Sequence, residues 1–487
     1  MSLNSMEYLI FFLGITLLLY AVVPMKFRWV VLAAASCFFY CLTSRYLIVF
    51  PVLTALSVYY SGLLTDALDT KKNPGLRKSV LLLTVILNIG VLAWLRIQKH
   101  SPLGISFYTL QALSYAIDVY RGKYKAEHNF RKIFLFVIFF PQITEGPIGR
   151  YDLLADQLNA GRPVTFENFR AGVTVILCGM FKKVVIADRA NSFLEEIFTN
   201  YGKYSGLAVV LAVLIYTLQI YADFSGCIDI ATGSAKLFGI DMSQNFIRPI
   251  FSHSVAEFWR RWHVTLGTWL RDYVFYPVSL SDGLSAVGKW SRKRFSPYFG
   301  AVFPTICAIF FVWVGNGVWH GSGWHYFAYG MYYFAITVCG ILFEPHVAKL
   351  CAKLKLNRKS RAFGIFQMIR TFIFVNIGMM LFRALSLKVF IRMFLSIFRD
   401  SGLSVFRSGA ILKQGMDKYD FWVLAIGAVL IFITEYLEEK GHDLKAILFR
   451  QKTAVQWIVF YALIFLILIY GAYGGDYAPV DPIYAHF

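Results

Sequence analysis

Apolar runs long enough to cross a bilayer recur along the whole chain, separated by short, mostly basic joints. A spanning helix needs about 20 such residues. The pattern predicts spans near Met6–Val23, Trp29–Leu42, Leu47–Leu64, Val80–Leu95, Ala171–Ile186, Leu207–Tyr221, Phe299–Val318, Trp324–Leu342, Phe366–Leu381, Phe421–Thr434 and Val455–Tyr470. The runs are continuous, whereas a membrane β-barrel needs alternating strands. The stretch from Leu103 to Gly122 carries Ser106, Tyr108, Thr109, Gln111, Tyr115 and Asp118, which is too polar for a lipid-facing span and suits a helix facing a bundle interior. Ile133–Phe140 breaks at FPQITEGPIGRY, where Pro141, Gly146 and Pro147 stop a helix. Irregular backbone at membrane depth persists only inside protein or beside a water-filled cavity, so a re-entrant segment ending near Arg150 is predicted. Glu145 in that segment is expected to pair with a nearby Lys or Arg, a functional role being the alternative. Tyr151–Phe166 reads as a polar loop, and Leu387–Phe398 as a short amphipathic helix.

Composition agrees with the pattern: of 487 residues, 58% are hydrophobic and 16% charged, against about half and a quarter in soluble domains. The formal charge of +20 is explained by basic cytoplasmic loops and anionic lipid before nucleic acid. Basic loops at Lys26/Arg28 and at Lys71, Lys72, Arg77 and Lys78 alternate with weakly basic ones, which puts the N-terminus outside. The opening segment lacks a basic start and an Ala-x-Ala-like cleavage site and reads as a retained span. Lys182-Lys183 is expected to mark a cytoplasmic edge. The seven cysteines lie mostly in apolar runs without metal-ligand spacing, so no metal and no disulfide framework is expected.

The chemistry concentrates in two stretches. In Glu257–Tyr276, Phe258, Trp262, Leu266, Trp269 and Tyr273 recur at steps of three and four, one aromatic stripe of a predicted amphipathic helix carrying His263. Glu257 can pair with Arg261 at i,i+4. An interfacial helix explains the Trp and Arg residues but not the histidine. The Lys289–Arg294 run (KWSRKR) reads as a basic cytoplasmic loop. The second stretch is an apolar span ending at Gly317-Val318-Trp319-His320-Gly321. A histidine at membrane depth is a functional candidate, and a neutral imidazole can act as general base near neutral pH. Asp223 and Asp229 at the end of another span read as caps or as partners of the Arg-rich 257–271 helix. Phosphate loops, nucleophile elbows and HExxH motifs are missing.

In order along the chain, GISFYTLQALSYAIDVYRG, FFPQITEGPIGRY, YADFSG, NFIRPIFSHSVAEFWRRWHVTLGTWLRDYVFYP and GVWHGSGWHYFAYG resemble the signatures of membrane-bound O-acyltransferases. The likeness is strongest to their bacterial alginate O-acetylation branch, and covers the C-terminal third by hydropathy alone. It implies an all-α polytopic membrane protein: a ring of roughly 11–13 transmembrane or re-entrant helices around a central tunnel, in one domain over residues 1–487, with core motifs in 104–345 and C-terminal helices in 365–475. It further implies His320 as the catalytic histidine and His263 as a second one toward the cytoplasmic entrance. Trp319, Asn316, Trp262, Arg261, Asp223, Ser225, Gln142 and Tyr108 are expected to line the substrate path. Cys227-Ile228 stands where that branch usually has Tyr-Ser, and Glu145 where a small or amide residue is common, departures that bear on the acceptor and the partner.

The implied reaction moves an acetyl group from a cytoplasmic thioester donor, acetyl-CoA, to a hydroxyl outside. No bound cofactor is implied. The acceptor is an extracytoplasmic polysaccharide or a partner extracytoplasmic acetyltransferase, and the site is a bacterial plasma membrane. Transfer of D-alanine from a carrier protein to teichoic acid is the alternative within the same fold. A transporter using His263 and His320 as a proton relay is a third reading, but the paired inverted repeats it calls for are missing.

Overall fold

The computed structural model describes residues 2–98, 101–321, 323–473 and 480–482. Among these residues the chain is helical without a strand, and its one isolated β-bridge joins Phe246 to Trp262. Eight stretches are long and apolar enough to cross a membrane: Met25–Ala67, Pro74–Ile97, Gly206–Leu237, Pro297–His320, Trp324–Lys353, Arg361–Arg383, Lys418–Glu439 and Thr453–Tyr470. A shorter apolar helix, Glu7–Val22, stands where the first span was predicted. This is a multi-pass helical membrane protein.

The second and third predicted spans stand as the helices Arg28–Ser44 and Val49–Ala67, parted within one apolar stretch of 43 residues by a tight turn at Arg45–Ile48 where Arg45 adopts φ 47°. Two expectations need adjustment. The predicted loop after Arg150 begins with a helix, Tyr151–Asn159, whose buried face is only Leu154, Ala155 and Leu158. So narrow an apolar stripe is easily read as loop. The basic Lys289–Arg294 run is likewise helical, the end of Asp282–Arg294, where its cations lie over the last carbonyls of the helix.

Close contacts divide the chain into two compact units. The first comprises Met1–Asp188, Ile220–Gln244 and Asp443–Phe487. Its interior holds the Ile105–Tyr120 helix, where even Ser106, Thr109, Gln111, Ser114 and Asp118 are buried, as its hydroxyl-rich sequence predicts. Gln142 in the broken FPQITEGPIGRY segment donates from its amide to Gln111 Oε1 and to the Pro147 carbonyl at 2.8 Å. Glu145 is buried as well.

Within this unit the Phe166–Met180 helix crosses the Gly206–Leu237 helix at two glycine pairs. A Cβ on Gly172 would sit 2.8 Å from the Gly233 carbonyl oxygen, and one on Gly179 2.6 Å from that of Gly226. Any larger side chain would push the backbones apart, the small-residue contact that lets membrane helices pack closely.

Beyond this crossing the first helix widens into a π-helical stretch, Phe181–Ala187, and Lys183 is buried. Lys183 is completely buried, with its ammonium 2.6 Å from Asp223 and 2.7 Å from Asp188. Lys182 meets Asp229 at 2.8 Å. Asp223 and Asp229 are thus partners of this lysine pair. Lys183 also donates to the Val480 carbonyl at 3.2 Å. A buried charge stripped of its counter-charge costs about 3–5 kcal/mol. Lys183→Met should lower the melting midpoint of the detergent-solubilised protein accordingly, and Lys183→Met with both Asp188→Leu and Asp223→Leu should recover most of the loss. A single variant as stable as the parent would show that the triad does not hold this unit together.

The second unit comprises Arg189–Gln219 and Asn245–His442. The Pro297–His320 and Trp324–Lys353 helices pack closely at glycines: a Cβ on Gly317 would meet the Tyr326 carbonyl oxygen at 2.7 Å, and one on Gly330 that of Trp313 at 2.4 Å. The Lys418–Glu439 helix starts on a full capping box from Asp417 and Asp420.

Candidate active site

The predicted helix over Glu257–Tyr276 is interrupted at the residue that matters most. Ser254 caps a short helix, Val255–Arg261, by accepting from the Glu257 amide at 3.1 Å, and Glu257 pairs with Arg261 at 2.7 Å as its spacing predicts. Trp262 is extended and His263 left-handed, with φ 47° and ψ 52°, before a second helix, Val264–Leu270. A competing set of hydrogen bonds explains the break. The Val264 amide donates to the Asn245 carbonyl at 2.9 Å, the Ile247 amide to the Arg261 carbonyl at 2.8 Å, and the Thr265 amide to Asn245 Oδ1 at 3.0 Å. A continuous helix would have sent the Val264 and Thr265 amides to Arg260 and Arg261 instead.

Phe258, Trp262, Leu266 and Trp269 are all buried, so this stripe packs inside protein. Trp262 packs edge-on against Phe246 at 5.0 Å and stacks with Phe258 at 5.5 Å.

Asn245 was not among the residues singled out from sequence. Its Oδ1 accepts from the Thr265 amide, from Thr265 Oγ1 at 2.8 Å, and lies 3.2 Å from His263 Nδ1. Because the Thr265 N–H can only donate, that Asn245 atom must be the carbonyl oxygen. His263 Nδ1 therefore carries a hydrogen, and in the neutral ring Nε2 carries the lone pair.

His320 is the last residue of its helix and is buried. Its ring meets Trp319 at 4.9 Å, Phe382 at 5.1 Å and Tyr329 at 5.7 Å, each edge-on. A Cβ on Gly321 would strike the Tyr326 ring at 2.5 Å, so only glycine fits directly behind the histidine. Trp319 faces His263 at 5.8 Å on its other side. The indole thus joins both histidines in one buried aromatic array. Asn316 lies one helical turn before His320, and its Oδ1 has no hydrogen-bond partner among the described residues. The same holds for Trp259 Nε1, whose ring packs on Trp313 at 5.2 Å and Tyr333 at 4.8 Å. Buried polar groups of this kind are suited to meet a substrate or water.

Arg261 is committed to structure: besides Glu257 it reaches Glu439 at 3.0 Å, and Glu439 also takes Arg248 Nε at 2.7 Å. Of the predicted site residues, His263, His320, Trp319, Asn316, Trp262 and Arg261 all belong to the second unit, whereas Asp223, Ser225, Gln142 and Tyr108 lie buried in the first. Among the described residues no three His, Cys, Asp or Glu side chains converge as a metal site would require.

The Asn245 geometry is open to direct test. Nitrogen-15 NMR of histidine-labelled protein, at a pH where the ring is neutral, should show His263 as the Nδ1–H tautomer, and Asn245→Ala should release that preference. An Nε2–H tautomer in the parent would contradict the geometry.

The sequence profile of the membrane-bound O-acyltransferase family matches residues 125–288, a region that contains Asn245 and His263 and stops short of His320. The chain is 32% identical over 408 residues to a probable alginate O-acetylase of Pseudomonas aeruginosa, covering 79% of this chain and 72% of that protein. It is 28% identical over 309 residues to a peptidoglycan O-acetyltransferase of Helicobacter pylori, covering 58% of this chain and 54% of the relative. Similarity to a teichoic acid D-alanyltransferase of Bacillus subtilis is 28% over 294 residues, 58% of this chain and 71% of the relative. A buried two-histidine array in a multi-pass helical chain, with identity of this extent to named acyltransferases, leads to one assignment: the protein belongs to the membrane-bound O-acyltransferase family and is an O-acyltransferase.

Proposed function

We propose that the chain passes an acetyl group from a cytoplasmic thioester, acetyl-CoA, to the hydroxyls of a polysaccharide outside a bacterial plasma membrane, together with a partner extracytoplasmic acetyltransferase. The observation that carries this reading is the His263–Trp319–His320 array: two buried imidazoles in series through one indole. Such a site favours direct transfer. His320 takes the proton of the acceptor hydroxyl, and the oxygen attacks the thioester carbonyl. The C–S bond then breaks, and the thiol leaves with a proton returned by the imidazole. His263, held at Nδ1 by Asn245, positions or relays a proton for the thiol. The uncommitted Asn316 Oδ1 accepts from a bound donor or acceptor group. The O-acetylase relatives support acetyl as the acyl group, and the basic joints at Lys26/Arg28 and 71–78 support an N-terminus outside.

The D-alanyltransferase relative keeps D-alanine on a carrier protein as the second reading. Envelope-glycan O-acetyl content in cells expressing the parent, His320→Ala or His263→Ala, at matched membrane abundance, separates them. Loss of a general base costs roughly 10²–10⁴-fold in rate, so His320→Ala should abolish detectable O-acetylation. Unchanged O-acetyl content in both variants would sink the assignment, and loss of D-alanyl esters instead would move it to the second reading.

A further inference from the structure

The short amphipathic helix predicted over Leu387–Phe398 is present as Leu387–Ser396. It separates two concavities of opposite character within the second unit. On one side lies a cleft of about 960 Å³ between this helix and the 199–205 turn, and its cationic lining consists of Lys203, Arg392 and Arg399. On the other side lies an apolar groove of about 230 Å³, floored by Val213 and Met380 and closed by Phe394 of the helix and by Ile397 and Phe398 just after it. Asn376 is the polar residue of that groove, and its Oδ1 already accepts from Thr217 at 2.8 Å.

The cations of the cleft are not neutralised by ion pairs. Among the described residues none of the three has a carboxylate within ion-pair distance, and the polar contact of Arg392 is a long one, 3.4 Å to the Tyr201 hydroxyl. Two carboxylates lie nearby beyond ion-pair distance, Glu196 acting on Lys203 and Asp400 on Arg399 through their charges, and both also accept hydrogen bonds. Glu196 accepts from Asn200 at 2.7 Å and from Tyr204 at 2.9 Å, and Asp400 accepts from Ser205 at 2.8 Å and from the Gly402 amide at 2.6 Å. Tyrosine, serine and asparagine side chains complete the wall of the cleft. The helix itself shows the signs of an interfacial element, with Ile391, Leu395 and Phe398 exposed at 47%, 62% and 74%.

A ligand for the cleft alone would be an anion, and one for the groove alone would be a hydrocarbon. The residues lining the two come from this helix and the turn that follows it: Phe394 and Ile397 line the groove, and Arg392, Leu395, Ser396 and Arg399 line the cleft. We propose that the Leu387–Ser396 helix seats an anionic phospholipid, its phosphate head group among Lys203, Arg392 and Arg399 and one acyl chain in the Val213–Met380–Phe394 groove. A soluble acidic glycan would account for the cleft and leave the groove without a purpose. A lipid accounts for both. The site is distinct from the His263–Trp319–His320 array, and its test does not depend on which acyl group or acceptor the enzyme uses.

The test is native mass spectrometry of the full chain, delipidated in detergent and titrated with phosphatidylglycerol or with phosphatidylcholine of the same acyl chains. Each basic residue near an anionic head group is worth about fivefold in affinity. Phosphatidylglycerol should bind the parent more tightly than phosphatidylcholine, and R392Q/R399Q should weaken it roughly 25-fold with little effect on phosphatidylcholine. Lys203→Gln, on an exposed turn, should weaken it about fivefold and serves where the double variant does not fold. Ile377→Trp, which fills the groove, should weaken both lipids. Equal affinity of the parent for the two lipids would overturn the proposal, as would phosphatidylglycerol binding unmoved by either cation variant. So would a uronic-acid oligosaccharide that binds the parent as tightly as phosphatidylglycerol and loses affinity on the same substitutions, which would give the cleft to a soluble polymer.

Discussion

A few backbone hydrogen bonds between 245–247 and 261–265 decide what this protein can do with His263. They divert the Val264 and Thr265 amides from helix continuation and put a histidine in the left-handed region, where a non-glycine residue is uncommon. A conformation of that kind persists only where the surroundings over-determine it. Here they do: Asn245 holds the imidazole and the following turn through one oxygen, Trp262 is wedged between Phe246 and Phe258, and Arg248 is left-handed at the other end of the pairing. Glu439, from the far end of the Lys418–Glu439 helix, ties Arg248 and Arg261 together across the base. The segment that carries His263 is thereby fastened to the Lys418–Glu439 helix.

The same logic, local irregularity held by surrounding commitments, recurs in the first unit. Glycine pairs let two long helices touch backbone to backbone. The π-helical turn that follows rotates Lys183 into the space beside Asp188 and Asp223. A fully buried ammonium with two carboxylates is a poor way to gain stability, but it fixes register. A one-residue slip of either helix would strand a charge in a nonpolar interior.

Much of this was legible beforehand. Continuous apolar runs located the spans, because length and hydropathy are properties of a segment by itself. The hydroxyl-rich Ile105–Tyr120 stretch announced a helix inside a bundle, and His320 stood out because an ionisable residue at the end of an apolar span needs a reason. The features that escaped depend on partners distant in sequence. The helix break at His263 is dictated by Asn245, the first residue of the NFIRPIF stretch, whose pairing with residues 18 and 20 positions away no local pattern announces. Lys183 looked like an edge marker because a Lys-Lys pair ordinarily flags a loop, and only the fold shows Asp223 and Asp229 beneath it. Arg261 looked free to meet substrate until Glu439, 178 residues away, claimed it.

The most direct test of the account is a cryo-electron microscopy structure of the protein in lipid nanodiscs with a thioether analogue of acetyl-CoA that cannot transfer its acyl group. The account predicts the analogue's carbonyl in the second unit beside Trp319, within hydrogen-bonding reach of the His320 ring or one water from it. An analogue bound with its carbonyl away from both histidines would contradict it.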